Sequence, residues 1–275
     1  ITTDFSFALG VAFAKFLEFE REPATIVVGE DMRETSSPLA DAFSDGATSQ
    51  GMDVIRIGLA STDMLYFASG KLNLPGIMFT ASHNPAKYNG MKLCKSGARP
   101  IGQDTGLQSI RELIEKGVSI SNRPVGSSRK ENLLKDYANY LLAQFPKNTF
   151  KKRKLKVVID AGNGMAGFTA PAVMSKIDID LISMYFELDG NFPNHEANPI
   201  EAKKYFNECL SFSKQTDSMD SGYYWASVLG LARIAYQELN YDQAVDYCKE
   251  VLDKADRKSS QHTEAKKLLA EAKKA

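Results

Sequence analysis

Apolar positions in the first half of the chain fall into two alternating rhythms. Phe5, Leu9, Ala12, Phe13 and Phe16 recur at helical spacing, with Thr3 or Asp4 available as the N-cap. Thr25-Ile26-Val27-Val28 is instead a short apolar run, which predicts a buried strand stopped by Gly29. Ser36 to Gln50 is helical in pattern and ends at Gly51, Val54-Ile55-Arg56-Ile57 predicts a second strand, and Leu74 to Phe79 a third. Helices are expected at Thr105 to Lys116 and Lys130 to Gln144. Strands separated by helices imply parallel βαβ units buried on both faces.

A second segment opens at Leu155. Lys156-Val157-Val158-Ile159-Asp160 predicts a strand running into the turn Ala161-Gly162-Asn163-Gly164-Met165-Ala166-Gly167 and a helix to near Ser175. Ile177 to Tyr185 supplies another strand, and Leu188-Asp189-Gly190-Asn191-Phe192-Pro193-Asn194-His195 is a loop by composition. After Glu201 glycine and proline become scarce and helical periodicity takes over. Ala202, Phe206 and Cys209 share one face; Val228, Leu231, Ala232, Ala235 and Leu239 share another. Tyr241, Ala244, Val245, Cys248, Val251, Leu252 and Ala255 form a third stripe, and Ala265, Leu268, Leu269 and Ala272 a fourth. The spacing Ala-x3-Phe-x2-Cys at Ala202 returns as Ala-x3-Cys-x2-Val at Ala244, so residues 202–275 resemble tetratricopeptide-type helical hairpins, with an insertion near Ser213 to Ser221. Trp225, with Tyr223 and Tyr224, is expected to pack between helices.

Composition narrows the picture only a little. The 275 residues suit about two domains, and 34 basic residues balance 34 acidic ones, so nothing global points to nucleic acid or a membrane surface. The basic run Lys147 to Lys156 reads as a solvated linker. No apolar span approaches membrane length and neither end reads as a signal peptide. Cys94, Cys209 and Cys248 are odd in number and widely spaced, which fits a reduced, cytoplasmic setting better than a disulfide or metal framework. His195 lacks partners at ligand spacing and reads as a loop hydrogen bonder. His262 reads as a solvated helix residue, and Asp217 and Asp220 lack the ordered oxygens of a calcium loop.

The chemistry concentrates around Ser82. Phe79-Thr80-Ala81-Ser82-His83-Asn84-Pro85 and Tyr88-Asn89-Gly90-Met91-Lys92 form a polar turn after a buried strand, where open α/β sheets place ligands. Taken singly, Ser82 would be an ordinary loop serine and Lys92 a surface lysine. Together the residues resemble the phosphoserine loop of the α-D-phosphohexomutases, the phosphomannomutase/phosphoglucomutase family. Gly29-Glu30-Asp31-Met32-Arg33 resembles that family's Gly-Arg-Asp-x-Arg turn, with Glu30 in place of the first arginine; otherwise Asp31 and Arg33 would be a surface ion pair. Asp160-Ala161-Gly162-Asn163-Gly164 and Asp189 to His195 match further landmarks, so the resemblance spans residues 1–201.

The resemblance implies an α/β fold of mixed and parallel sheet units, followed by the all-α hairpins. Its segments are 1–146 with the phosphoserine loop, 147–201 as a partial second domain, and 202–275. It implies that Ser82 carries a phosphoryl group exchanged with a hexose phosphate, mannose or glucose 1- or 6-phosphate. Lys92 would lie beside that group and take part in proton transfer, and His83 would bond phosphate oxygens or order the loop. Arg33, Asn84 and Asn89 would bind substrate or phosphate, and Mg²⁺ would be held against the phosphate on Ser82. The family's first strand would precede Ile1, its Asp-x-Asp-x-Asp-Arg metal loop occurs nowhere in these residues, and its later sugar-binding domains are not recognisable. The expectation is a chain truncated at both ends, a poor mutase or none. The alternative is a non-catalytic protein that binds a protein or peptide partner through residues 202–275.

Overall fold

The computed structural model describes residues 1–117, 119–146, 149, 154–194, 202–215, 219, 222–237 and 239–273, the side chains of 202–205 and 237 excepted. His195, Asp217, Asp220 and most of the Lys147 to Lys156 run lie outside the described residues. Two compact units emerge, Ile1–Ala197 and Asn198–Ala275.

The first unit is built on a six-stranded sheet. β1 (Thr25–Glu30), β2 (Asp53–Leu59), β3 (Gly76–Phe79), β4 (Met91–Lys95), β5 (Arg99–Pro100) and β6 (Ser128–Lys130) lie in the order β5-β4-β3-β1-β2-β6. β1, β2, β3 and β6 run parallel, while β4 pairs antiparallel with β3 and β5 with β4. The antiparallel edge escapes the periodicity because β3 and β4 are joined by the loop of residues 80–90, not by a helix. Gly29 does not stop β1: it pairs with Gly58 and Met78, and the strand ends one residue later.

Alternation along the strands fills both faces. Ile26, Val28, Val54, Ile77, Phe79 and Leu93 pack with α1 (Thr3–Phe19), α2 (Ser36–Ser49) and α4 (Leu107–Lys116). Val27, Ile55, Ile57 and Met78 pack with α3 (Thr62–Leu72) and α5 (Leu134–Ala143). Of the predicted α1 stripe, Leu9, Ala12, Phe13 and Phe16 are buried, whereas Phe5 is exposed on the first turn. The cap is Thr2, not Thr3 or Asp4: Thr2 is extended, and its Oγ1 accepts the Phe5 N–H at 3.2 Å. The Lys130 to Gln144 helix is shortened at its start because Ser128–Lys130 pairs with β2.

Helices α1 and α2 meet through reciprocal glycine notches. A Cβ on Gly10 would lie 2.2 Å from the Phe43 carbonyl oxygen, and one on Gly46 would lie 2.1 Å from that of Phe7. Farther along the chain, β7 (Leu155–Asp160) and β8 (Ile179–Met184) form a parallel pair connected through α6 (Ala166–Met174). Val158, Ile182 and Met184 on this pair remain exposed.

The second unit contains α7 (Ala202–Gln215), α8 (Gly222–Gln237), α9 (Tyr241–Lys254) and α10 (Ser260–Ala272). Its core joins Tyr224, Trp225, Val228, Leu229 and Ala232 to Cys248, Val251, Ala265 and Leu268. Tyr223 and Leu239 point to solvent, against expectation: Tyr223 lies on the opposite face of the first turn of α8, and Leu239 in the turn after that helix. Burial raises the Cys248 thiol pKa to about 11. His262 lies in the first turn of α10, where its N–H donates to the Ser259 cap at 3.1 Å. No helix among the described residues is long and apolar enough to cross a membrane.

Two outcomes follow from this packing. Gly46→Ala gains about 1 kcal/mol of helix propensity, but the clash is with backbone and cannot be relieved by a rotamer. The net effect expected in chemical denaturation is a loss of about 2 kcal/mol. At the sheet edge, the Ser127 backbone N–H and hydroxyl both donate to Asp53 Oδ1 at 2.7 Å. The backbone bond first, then the hydroxyl, hold the Asp53 carboxyl below its ordinary value of 3.8. With the folded pKa depressed, this stabilisation is complete above the unfolded value and lost as pH falls through the folded one. Asp53→Asn should therefore flatten the acid side of the stability–pH profile while leaving its shape at neutral pH unchanged.

Candidate functional site

The chain leaves β1 toward β2 on one side of the sheet and returns to β3 on the other, so the order β2-β1-β3 creates a topological switch point. Open sheets place their ligand crevice at such a point, outside the strand carboxyl ends. Two segments meet there: the turn after β1 (residues 31–36) and the loop after β3 (residues 80–90), linked where the Asp31 N–H donates to the Phe79 carbonyl at 3.0 Å.

The Thr80 N–H donates to the Gly90 carbonyl at 3.0 Å, closing the loop at its base. Arg33 fills its centre and is 3% exposed. Its Nη1 donates to the carbonyls of Pro85 at 2.9 Å and Tyr88 at 3.1 Å, with Ala86 at 3.4 Å; its Nη2 donates to Ser82 at 2.9 Å and Asn84 at 2.7 Å. Nε donates to Asp31 Oδ2 at 3.2 Å. A guanidinium has five N–H groups, and all five are engaged. Arg33 is therefore not free to bind phosphate in this geometry, as the sequence resemblance implied; it organises the loop that bears the serine. Nor are Asp31 and Arg33 a surface pair, since both are buried. Asp31 Oδ1 also accepts the Arg33 N–H at 3.1 Å and the Ser36 hydroxyl at 2.5 Å, which satisfies the buried carboxylate.

Ser82 adopts φ +53°, the left-handed region that costs a non-glycine residue about 1–2 kcal/mol. Two contacts offset this: its N–H donates to Thr80 Oγ1 at 3.0 Å, and its carbonyl accepts Arg33. The residue is exposed, and its hydroxyl has no hydrogen bond among the described residues. His83 is likewise exposed. The side-chain amides of Asn84 and Asn89 donate within the loop and to the turn after β1. Asn84 Nδ2 donates to the Ala81 carbonyl at 2.9 Å. Asn89 Nδ2 donates to Thr35 Oγ1 at 2.8 Å and Ser36 Oγ at 2.9 Å, while its Oδ1 accepts the Gly90 N–H. Both amides brace the loop. Lys92 stands on β4 opposite Met78, one residue inside the hairpin that the loop closes. It is exposed and has no ion-pair partner among the described residues.

Glu30, where the resemblance has an arginine, is paired with Arg56 Nη2 at 2.6 Å, and Arg56 Nη1 reaches Asp41 at 2.5 Å. Burial pulls the Arg56 pKa down, but the Asp41 hydrogen bond and the Glu30 charge outweigh it and leave the value raised. Glu30 and Asp31 are thus both committed. Among the described residues no three His, Cys, Asp or Glu side chains converge as metal ligands. The donors of the described residues do not by themselves fit the magnesium ion that the resemblance implies.

Residues 1–120 match the family described as phosphoglucomutase/phosphomannomutase, alpha/beta/alpha domain I, and residues 135–223 match its domain II. The chain belongs to the phosphohexomutase family. The Vibrio cholerae phosphomannomutase is 37% identical over 207 residues, covering 73% of this chain and 44% of that protein. An Escherichia coli phosphomannomutase is 38% identical over 208 residues, with the same 73% and 44%. A phosphoglucomutase/phosphomannomutase family protein from Burkholderia thailandensis superposes with a TM-score of 0.66 at 28% identity, over 79% of this chain and 47% of that one. The chain thus spans less than half the length of the curated relatives it matches.

Within this phosphohexomutase loop, motif reading missed the work of Thr80, Thr35 and Ser36. Thr80 lies inside the run Phe79 to Pro85 and its spacing to Ser82 suits a hydroxyl turn; nothing local marks the partners of Asn89. Thr80→Val removes the acceptor that supports the left-handed Ser82. The expected result is faster amide hydrogen exchange across residues 82–89 and a stability loss of about 1 kcal/mol.

Proposed function

We propose that the Ser82 loop carries a phosphoryl group in the interconversion of hexose phosphates. What supports the reading most directly is the exposed Ser82 hydroxyl at the β1/β3 switch point, on a loop whose backbone is fixed from within by Arg33. In the forward step a hydroxyl of a hexose monophosphate attacks phosphorus on Ser82. The Oγ–P bond breaks as the new O–P bond forms, yielding a hexose bisphosphate; return of its other phosphoryl group to Ser82 completes the isomerisation. Lys92, a cation beside the loop with no ion-pair partner among the described residues, is assigned to the transferred phosphate and to the proton of the attacking hydroxyl. His83 is assigned to the exposed phosphate oxygens. Arg33, Asn84 and Asn89 act as positioning residues. Residues 1–146 form the nucleophile segment, 147–201 part of a second one, and 202–275 a tetratricopeptide-like helical segment.

Turnover by these 275 residues alone should be low. The acidic groups at hand are committed to Arg33 and Arg56, and each 1.36 kcal/mol of missing transition-state stabilisation is about tenfold in rate. The second reading, a partner-binding protein, is favoured by the separate core of the Asn198–Ala275 unit. A hexose 1,6-bisphosphate added to the purified chain decides between them. Intact mass should show one phosphoryl group on Ser82, removable by mannose or glucose 1-phosphate. Ser82→Ala should abolish uptake, and Lys92→Met should slow it about 100-fold. A wild-type chain that takes up no phosphoryl group would leave the partner-binding reading standing.

A further inference from the structure

Phe192 lies far along the chain from the serine loop, in the turn after β8, yet its ring covers the Arg33 guanidinium, with Cζ 5.1 Å from the ring centroid. Gly190 in the same turn approaches Arg33 so closely that an added Cβ would sit 2.9 Å from the Arg33 Cα and 3.2 Å from the Met32 oxygen. The N–H groups of the guanidinium are taken up by loop carbonyls and Asp31, and its Cζ lies over the Phe192 ring. Removing water there strengthens those hydrogen bonds.

The turn is itself held in place. Phe192 has φ +53°, which a bulky residue adopts only under constraint. Its N–H donates to the Asp189 carbonyl at 3.1 Å, and Asn191 N and Nδ2 donate to Asp189 Oδ1 at 2.8 and 3.1 Å. Beneath it, Asn163 is 3% exposed and also left-handed. Asn163 donates its N–H to the Tyr185 carbonyl at 2.8 Å and its Nδ2 to the Glu187 carbonyl at 2.9 Å. Its carbonyl accepts the Asp189 N–H at 3.0 Å, and its Oδ1 accepts Asn194 Nδ2 at 2.7 Å. The polar groups of one buried asparagine thus fix the turn that seats Phe192.

We infer that the Asp189–Phe192 turn is a positioning element for the nucleophile, acting through Arg33: Phe192 and Gly190 fix the guanidinium, and the guanidinium fixes the Ser82 backbone with its hydroxyl outward. This deepens the reading of Ser82 as phosphoryl carrier and rests on it. Phe192 touches no substrate in this scheme, so its removal changes how often Ser82 is presented, not how the donor binds.

The test uses the full chain as wild type, Phe192→Leu, Phe192→Tyr and Arg33→Lys. The rate of Ser82 phosphorylation is followed by intact mass over a range of hexose 1,6-bisphosphate concentrations, with amide exchange of residues 82–89 measured in parallel. Lysine cannot span the carbonyls, so Arg33→Lys should lower the maximal rate on the order of 100-fold. Loss of the ring face in Phe192→Leu should lower it roughly 3- to 10-fold, with Phe192→Tyr restoring it. The half-saturating donor concentration should stay constant, and exchange across the loop should quicken in the two slowed variants only. Equal rates for Phe192→Leu and wild type, a loss confined to half-saturation, or a loss accounted for by the unfolded fraction in circular dichroism would overturn the inference. Should Arg33→Lys fail to fold, the Leu and Tyr pair decides alone. If the wild-type chain accepts no phosphoryl group, the Ser82 reading falls, and the exchange arm still shows whether the turn holds the loop.

Discussion

Arg33 sits in the interior with each of its N–H groups donated to an oxygen: one to Asp31, the others to carbonyls of the loop between β3 and β4. A buried guanidinium that lost these acceptors would be destabilising by several kcal/mol, and the loop, largely exposed, would be left chiefly with its Thr80, Asn84 and Asn89 bonds. The two needs are met by one arrangement. The loop supplies the acceptors that make the buried charge tolerable, and the charge supplies a cation that the row of inward carbonyls shares. The Ser82 conformation follows from this, because a carbonyl turned inward toward Arg33 leaves the hydroxyl on the outer side.

The sheet topology makes the arrangement possible. Strands β1 and β3 are parallel neighbours paired through to their carboxyl ends, so the turn bearing Asp31, Arg33 and Ser36 emerges beside the serine loop. The apolar layers on both faces of β1 hold that edge rigid. The phosphohexomutase motifs are then separated chemically by distance from this core: Lys92 and His83 stay exposed, whereas Asp31 and Arg33 are sealed. Glu30 departs from the family pattern and takes a structural partner, Arg56, on the neighbouring strand.

Much of this was legible in the residues themselves. Short, mostly apolar runs pointed to β1, β2 and β3, helical stripes to α1 and α2, and the Ser82 motif to a hydroxyl on a turn after a strand, because these features depend on neighbours within a few positions. The helical stripes after residue 201 likewise marked Val228, Ala232, Cys248, Val251 and Ala265 as core. Only the tertiary structure decided what the polar residues of the site do. Arg33 and Asn89 carry donors that suit phosphate as well as carbonyl or hydroxyl oxygens, and sequence has no means of ranking acceptors brought from about 50 residues away. The antiparallel β4, the exposure of Phe5 and Tyr223, and the seating of Phe192 on Arg33 depend in the same way on which surfaces meet. Local pattern fixes periodicity and turn chemistry; partner choice for a charged or amide group is a long-range matter, settled by the fold.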